Sequence, residues 1–273
     1  MNYPLSIIHC SFMRSLTISL IQSDLHWEDP PANRKMFQSL LYDLSGNTDL
    51  VILPEMFSTG FTMNAAALAE SMEGPTVGWM RDAAQRHSVD IAGSLIIKEK
   101  GKNYNRLVWV KPGGSVFAYD KRHLFAFAEE HRTYSAGDRR VTVPLKGWRI
   151  RPFICYDLRF PVWTRNSEAK YDLALFVANW PSVRSAHWHA LLSARAIENQ
   201  CYVVGVNRVG EDGNGLAYSG GSSVIDPAGQ IRFKQEDTAC VHTETLSMKR
   251  LADVRTRFPF LQDADVGMIR WHI

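Results

Sequence analysis

The chain has no long apolar run, no Cys-x-x-Cys pair and no block of like charge, and each absence removes a class of protein. No span approaches the ~20 apolar residues that a membrane helix needs. Residues 1–13 are mildly apolar but carry no positive charge ahead of the apolar stretch, so they read as neither a signal peptide nor an anchor. Because the patterned sequence begins at Leu16, directly after Met13-Arg14, residues 1–13 are expected to be a start-site extension or a loose arm. The four cysteines, Cys10, Cys155, Cys201 and Cys240, stand far apart without zinc-finger rhythm, which points to a reduced, cytoplasmic setting. Thirty-one Lys plus Arg against 28 Asp plus Glu leave a net charge of +3, and the basic residues are scattered. Nucleic acid and membrane surfaces are therefore not expected partners. No repeat, low-complexity tract or Pro/Gly/Ser linker divides the chain, so 273 residues at 45% hydrophobic content read as one domain.

What is present is an alternation of apolar runs and helical patterns. Leu16 to Gln22, Asp49 to Glu55, Val89 to Ile97, Arg106 to Val110, Phe153 to Tyr156, Leu173 to Asn179 and Cys201 to Asn207 have the continuous Val/Ile/Leu/Phe character of strands covered on both faces. A helix begins after Pro30-Pro31 and carries Phe37, Leu40, Leu41 and Leu44 on one stripe. A second enters through Gly74-Pro75-Thr76 and runs to about His87, and a third spans about Ser185 to Gln200. Gly210 to Gly215 reads as a turn-rich loop, Asp226-Pro227-Ala228-Gly229 as a turn between strands, and Val241 to Leu246 as a further strand. The pattern predicts an α/β fold with mixed sheets. Residues 248–273, with Phe258-Pro259-Phe260 and Trp271, are too apolar for a free tail and are expected to dock on the body or on a partner subunit. His187 and His189 would lie about 200° apart around their helix and cannot share a metal, so no metal site is expected.

Three reactive residues occupy matching positions. Glu55 closes Leu50-Val51-Ile52-Leu53-Pro54, Lys121 closes Val116-Phe117-Ala118-Tyr119-Asp120, and Cys155 closes Phe153-Ile154. Singly each is weak evidence: a lone cysteine behind Phe-Ile ordinarily fills a core, and a strand-end Glu or Lys ordinarily meets solvent. Strand ends, however, are where an α/β sheet presents side chains to a ligand crevice. An acid, an amine and a thiol delivered there together suggest amide-bond chemistry by a thiol nucleophile.

These residues resemble the Glu-Lys-Cys triad of the nitrilase superfamily of carbon-nitrogen hydrolases. The likeness rests on Leu53-Pro54-Glu55, Lys121-Arg122-His123-Leu124-Phe125 and Cys155-Tyr156-Asp157-Leu158-Arg159-Phe160-Pro161. Arg195 to Tyr202 and Ser222 to Gly229 extend it, so it covers about residues 14–247. The cysteine and lysine segments are most similar to the omega-amidases, which deamidate 2-oxoglutaramate and 2-oxosuccinamate. The resemblance implies a four-layer αββα sandwich, a homodimer, and a second glutamate between the lysine and the cysteine. Counting back from Gly137, Glu130 fits that place better than Glu129. Where the family often has Pro-Gly, this chain has Ala136-Gly137.

On this reading Glu55 is the general base and Cys155 the nucleophile, a residue that needs activation because a free thiol has a pKa of about 8.5. The Lys121 ammonium and the Tyr156 backbone N–H would hold the oxyanion, Glu130 would orient Lys121 or the substrate amide, and no cofactor is needed. Loss of Lys121 is expected to slow turnover with little change in stability. Phe61, Tyr134 and Trp180 are candidates for the pocket wall, although buried aromatics are more often packing. Arg159 is equally a candidate for the substrate carboxylate and for a structural ion pair. Amidase, carbamoylase and nitrilase are not distinguished by these residues. Two rivals stand beside them: a Cys-His acyl transferase or peptidase with His123 as base, and a non-enzymatic scaffold with an idle pocket.

Overall fold

The computed structural model describes residues 15–44 and 48–265. The expected arm at residues 1–13, Cys10 and Trp271 lie outside the described residues. Among the described residues thirteen strands form two sheets. The first is built from β1 (Ser15–Gln22), β2 (Leu50–Ile52), β3 (Asp90–Glu99), β4 (Lys102–Val110), β5 (Val116–Asp120) and, near the end of the described chain, β13 (Cys240–Ser247), in the order β13-β1-β2-β3-β4-β5. The second takes β6 (Val143–Leu145), β7 (Trp148–Ile154), β8 (Leu173–Val177), β9 (Tyr202–Val206), β10 (Val209–Glu211) and β11 (Ala217–Ile225) in the order β10-β11-β9-β8-β7-β6, with β12 (Ile231–Glu236) on β11. Both sheets are mixed: β1, β2 and β3 run parallel, as do β7, β8 and β9, while the flanking pairs are antiparallel.

Period-two alternation decides which face each residue covers. Leu50 and Ile52 of β2, Leu107 and Trp109 of β4 and Leu16, Ile18 and Leu20 of β1 face the second sheet and share one core with Ile150, Phe153 and Leu175. Their neighbours Val51, Val108, Val110 and Ile21 face outward and are covered by helices α1 (Pro30–Tyr42) and α3 (Pro75–His87), through Phe37, Leu41, Val77 and Met80. The short α2 (Ala65–Leu68), α4 (Glu130–Thr133) and α5 (Pro161–Thr164) lie in connections. The outer face of the second sheet is covered by α6 (Ser185–Asn199), which packs Trp188 and Leu192 onto Gly205 of β9, where a Cβ would lie 2.6 Å from a Leu192 methyl. The layers are therefore αββα.

Local chemistry sets the ends of these helices. The Asp29 side chain accepts from Ala32 N–H at 3.0 Å and the prolines occupy the first turn of α1. The C-caps of α3 and α6 are Ser88 and Gln200 in the left-handed region, at φ 54° and 43°. After β13 the chain forms α7 (Met248–Arg257), which buries Leu251 and Val254 and sends Arg250 to Asp226 at 2.8 Å and Arg255 to Asp172 at 3.0 Å. No helix among the described residues is long and apolar enough to cross a membrane.

Some boundaries differ from the sequence pattern. β2 ends at Ile52, because Pro54 lacks the N–H a ladder would need, and Glu55 stands at the start of a turn. β4 starts at Lys102 and so includes Asn105, which its polar character places outside the apolar run. The turn-rich loop is shorter than its glycines suggest: Val209–Glu211 is a strand, and the Asp212 carboxylate closes the turn on the N–H groups of Asn214 and Leu216 at 2.9 and 3.1 Å.

One glycine fastens the end of β5. Gly137 donates its N–H to Lys121 O at 2.9 Å, and a Cβ there would sit 2.3 Å from Asp120 O. Gly137→Ala is expected to cost about 1–3 kcal/mol by overpacking, whereas Gly113→Ala, with open space around the added methyl, should be near neutral. Urea denaturation of both variants checks this, and equal midpoints would remove the steric argument.

Candidate active site

Four strand ends meet beside one cavity, whose wall includes Lys121, Cys155 and Asn179. Glu55 follows β2, Lys121 follows β5, Cys155 follows β7 and Asn179 follows β8. Far from being solvated, Glu55 and Glu130 are fully buried and Lys121 is 1% exposed. The Lys121 ammonium lies 2.9 Å from Glu55 Oε1 and 3.0 Å from both oxygens of Glu130. Asn105 bridges the same two carboxylates, donating to Glu55 Oε1 at 2.8 Å and Glu130 Oε1 at 3.3 Å, and its carbonyl accepts from Ser94 Oγ at 2.8 Å. Glu55 Oε2 takes the backbone N–H of Asn179 at 2.8 Å, and the Asn179 amide donates to Glu55 O at 2.6 Å. Glu130 Oε2 takes the N–H of Phe125 at 2.5 Å. Every carboxylate oxygen of the pair is thus held.

Cys155 turns the end of β7 into a tight helical turn, Cys155–Arg159, and does so at φ 41°, a left-handed conformation that costs energy for a residue with a side chain. The Asp157 carboxylate fixes that turn. It accepts from Ile154 N–H at 3.1 Å, Tyr119 Oη at 2.7 Å, and His123 N–H and Nδ1 at 3.0 and 2.8 Å. Because Tyr119 and His123 flank Lys121, this one buried carboxylate ties the thiol's turn to the lysine's strand end. His123 is stacked on Phe160 at 3.7 Å between centroids, and its Nδ1 is committed to Asp157.

Electrostatics follow from burial. Burial pushes the Cys155 thiol well up, the Glu55 carboxylate beside it adds to the rise, and Lys121 opposes it. The resting sulfur is therefore protonated, and Sγ lies 3.9 Å from Asn179 O. Burial works to lower the Lys121 pKa, but Glu130 and Glu55 outweigh it and hold the ammonium above its usual value. Burial raises the Glu130 carboxyl, with Lys121 opposing and Glu55 adding.

The cavity has a volume of about 420 Å³ and is lined by Lys121, Cys155, Tyr156, Phe61, Trp180 and Arg159, with Phe125 and Arg184 among further residues. Phe61 stands 5.1 Å from the Lys121 ammonium. Tyr134 is the exception among the expected wall residues. It lies behind the wall with Met56, Ala65 and Ile96, its hydroxyl donating to Thr62 O at 2.6 Å. Arg159 lines the cavity with its guanidinium 4.7 Å over the Trp180 ring and one nitrogen 3.0 Å from His187 Nδ1. His189 instead meets Glu236 at 2.9 Å. Asn105, Asn179, Asp157 and Arg184 were not singled out from the sequence. Asn179 and Asp157 carried a signal, being polar residues at or just past strand ends, and Asn105 carried one as a polar residue beside an apolar run.

The comparisons agree with this geometry. The carbon-nitrogen hydrolase family model matches residues 17–256, and the chain belongs to that family. It is similar to omega-amidase YafV of Escherichia coli K12, 51% identical over 258 residues that cover 93% of this chain and 98% of that protein. A 2-oxoglutaramate amidase of Bacillus subtilis is 34% identical, over 90% of this chain and 96% of its own length. Among solved structures, XC1258 of Xanthomonas campestris, a CN-hydrolase superfamily protein with an arsenic adduct in its active site, superposes with TM-score 0.92 at 48% identity, covering 94% of this chain and 99% of that one.

The burial of Lys121 argues against the expectation that its loss would change stability little. A carboxyl whose folded pKa lies above its unfolded value, about 4.3 for Glu, contributes stability that is complete below that value and is lost as pH rises. Lys121→Met removes the cation that opposes the rise in Glu130. The variant should be destabilised by about 3–5 kcal/mol at neutral pH, and the gap to the parent protein should widen between about pH 5 and pH 8. Urea denaturation at the two pH values checks this, and a small, constant gap would mean that Lys121 does not neutralise the pair.

Proposed function

We propose that this protein is an omega-amidase, hydrolysing the terminal amide of small oxo-dicarboxylic acid monoamides such as 2-oxoglutaramate and 2-oxosuccinamate to the dicarboxylate and ammonia. The observation that carries the reading is a thiol and an ammonium lining one cavity with aromatic walls, with two buried carboxylates bonded to that ammonium. The 51% identity to an omega-amidase over most of both chains supports the substrate class.

Each residue then has a task. The Cys155 thiol is protonated at rest, so attack on the amide carbon requires that its proton pass to Glu55 as the S–C bond forms. Negative charge moves to the amide oxygen, where the Lys121 ammonium and the Tyr156 N–H, at the start of the Cys155–Arg159 turn, stabilise it. Glu55 returns the proton to the nitrogen, the C–N bond breaks, and ammonia leaves a thioester on Cys155. Water gives a proton to Glu55 and adds to the thioester; the C–S bond then breaks, Glu55 returns that proton to the sulfur, and the acid is freed. Glu130 holds Lys121 in place throughout. The protein works in the cytoplasm as a homodimer on this reading, the state that the family resemblance implies.

A histidine-based mechanism has less support, since His123 is bound to Asp157 and stacked on Phe160. Cys155→Ala should abolish ammonia release while the fold persists, because the change removes one atom that carries the chemistry and little volume. His123→Asn should retain activity. Ammonia release from a panel of omega-amides, simple amides, N-carbamoyl compounds and nitriles tests the class. Preference for a carbamoyl compound or nitrile would replace the omega-amidase reading, and full activity of Cys155→Ala would end the thiol mechanism.

A further inference from the structure

The cavity holds charges whose balance points to the shape of the substrate. Five lining residues are charged: Glu28, Lys121, Arg159, Arg184 and Asp212. Lys121 is consumed by Glu55 and Glu130. Glu28 is satisfied by Thr62 Oγ1 and by Asn64 Nδ2, the latter at 3.1 Å. Asp212 accepts from Tyr218 Oη at 2.8 Å and from the N–H groups of Asn214 and Leu216. The two arginines are different. Among the described residues neither Arg159 nor Arg184 has a carboxylate partner.

Their surroundings divide the work between them. Arg159 is already placed: one nitrogen meets His187 Nδ1 at 3.0 Å and the plane lies over Trp180. An arginine always donates, so His187 Nδ1 must accept, and that edge of Arg159 is occupied. Arg184 has a fixed base and an uncommitted head. Its carbonyl accepts the Trp180 indole N–H at 2.8 Å and its N–H bonds Pro181 O at 3.0 Å, while its guanidinium rests 5.3 Å from the centre of the Phe125 ring. A half-buried guanidinium stacked on an aromatic face and lacking an anion is arranged to receive a planar carboxylate on two N–H groups.

We infer that Arg184 is the specificity-determining residue of this site, binding the carboxylate at the end of the substrate remote from the amide, with Arg159 as a fixed second donor. The inference rests on the omega-amidase reading and deepens it: Lys121 and Cys155 select the amide, and Arg184 selects the anion at the other end. An uncharged amide of equal length would leave the guanidinium without its partner.

The test compares kcat/KM for 2-oxoglutaramate and for butyramide in the parent protein, in Arg184→Met and in Arg184→Lys. Loss of a charge-assisted pair corresponds to about 10- to 100-fold. The ratio of the two values should fall by that factor in Arg184→Met and by less in Arg184→Lys, which keeps the charge but not the fork. A second measurement removes turnover: in Cys155→Ala, binding of 2-oxoglutarate by calorimetry should weaken by a similar factor when Arg184→Met is added. Unchanged ratio and unchanged binding in folded variants would overturn the inference even if the parent protein hydrolyses 2-oxoglutaramate. A parent protein that turns over no omega-amide would instead refute the functional reading, and the calorimetry would still decide whether Arg184 binds a dicarboxylate.

Discussion

A lysine ammonium between two buried carboxylates, itself almost wholly buried at the wall of the cavity, is the constraint that the rest of the structure serves. Two carboxylates so close would not both ionise without a cation, and the cation would not stay charged without them. Lys121 and Glu130 arrive from neighbouring segments, but Glu55 follows β2, which β3 and β4 separate from β5, so the cluster exists only when β2, β3, β4 and β5 are in register. Asn105 supplies the remaining donors from β4, and the Asn179 N–H carries the connection into the second sheet. The buried charge cluster is thereby a joint between the two sheets as well as a piece of chemistry.

The strained turn at Cys155 belongs to the same construction. A left-handed cysteine at the end of a strand persists only where its neighbours over-determine it. Asp157 does so with four accepted hydrogen bonds, two of them from His123, and thiol and lysine are held by one carboxylate that itself stays away from the cavity. The histidine nearest the lysine in sequence is thus part of the frame, and its closeness in the chain says nothing about proton transfer.

Much of this was legible because strands buried on both faces announce themselves as continuous apolar runs, and because the residue that ends such a run stands at a sheet's edge. That logic located Glu55, Lys121 and Cys155, and the alternation of runs with helices pointed to an α/β fold. It failed where tertiary pairing overrides local character. Asn105 lies inside a strand because its side chain is satisfied by Glu55, Glu130 and Ser94, partners 50, 25 and 11 residues away that no local pattern reveals. Tyr134 is aromatic and near the lysine in sequence, yet its hydroxyl finds Thr62 O and the ring turns behind the wall. Arg184 sits between a proline turn and a helix, where an arginine has no distinctive pattern.

The protonated state of the Cys155 sulfur carries a consequence for the protein's chemical durability. Peroxides and alkylating agents consume thiolates far faster than thiols. Burial and the adjacent carboxylate disfavour the thiolate at Cys155, which slows its consumption by such agents although the residue lines a cavity. On the proposed mechanism thiolate character develops as the amide carbon is attacked and Glu55 takes the proton. The raised thiol pKa therefore favours reaction with a bound amide over reaction with passing electrophiles.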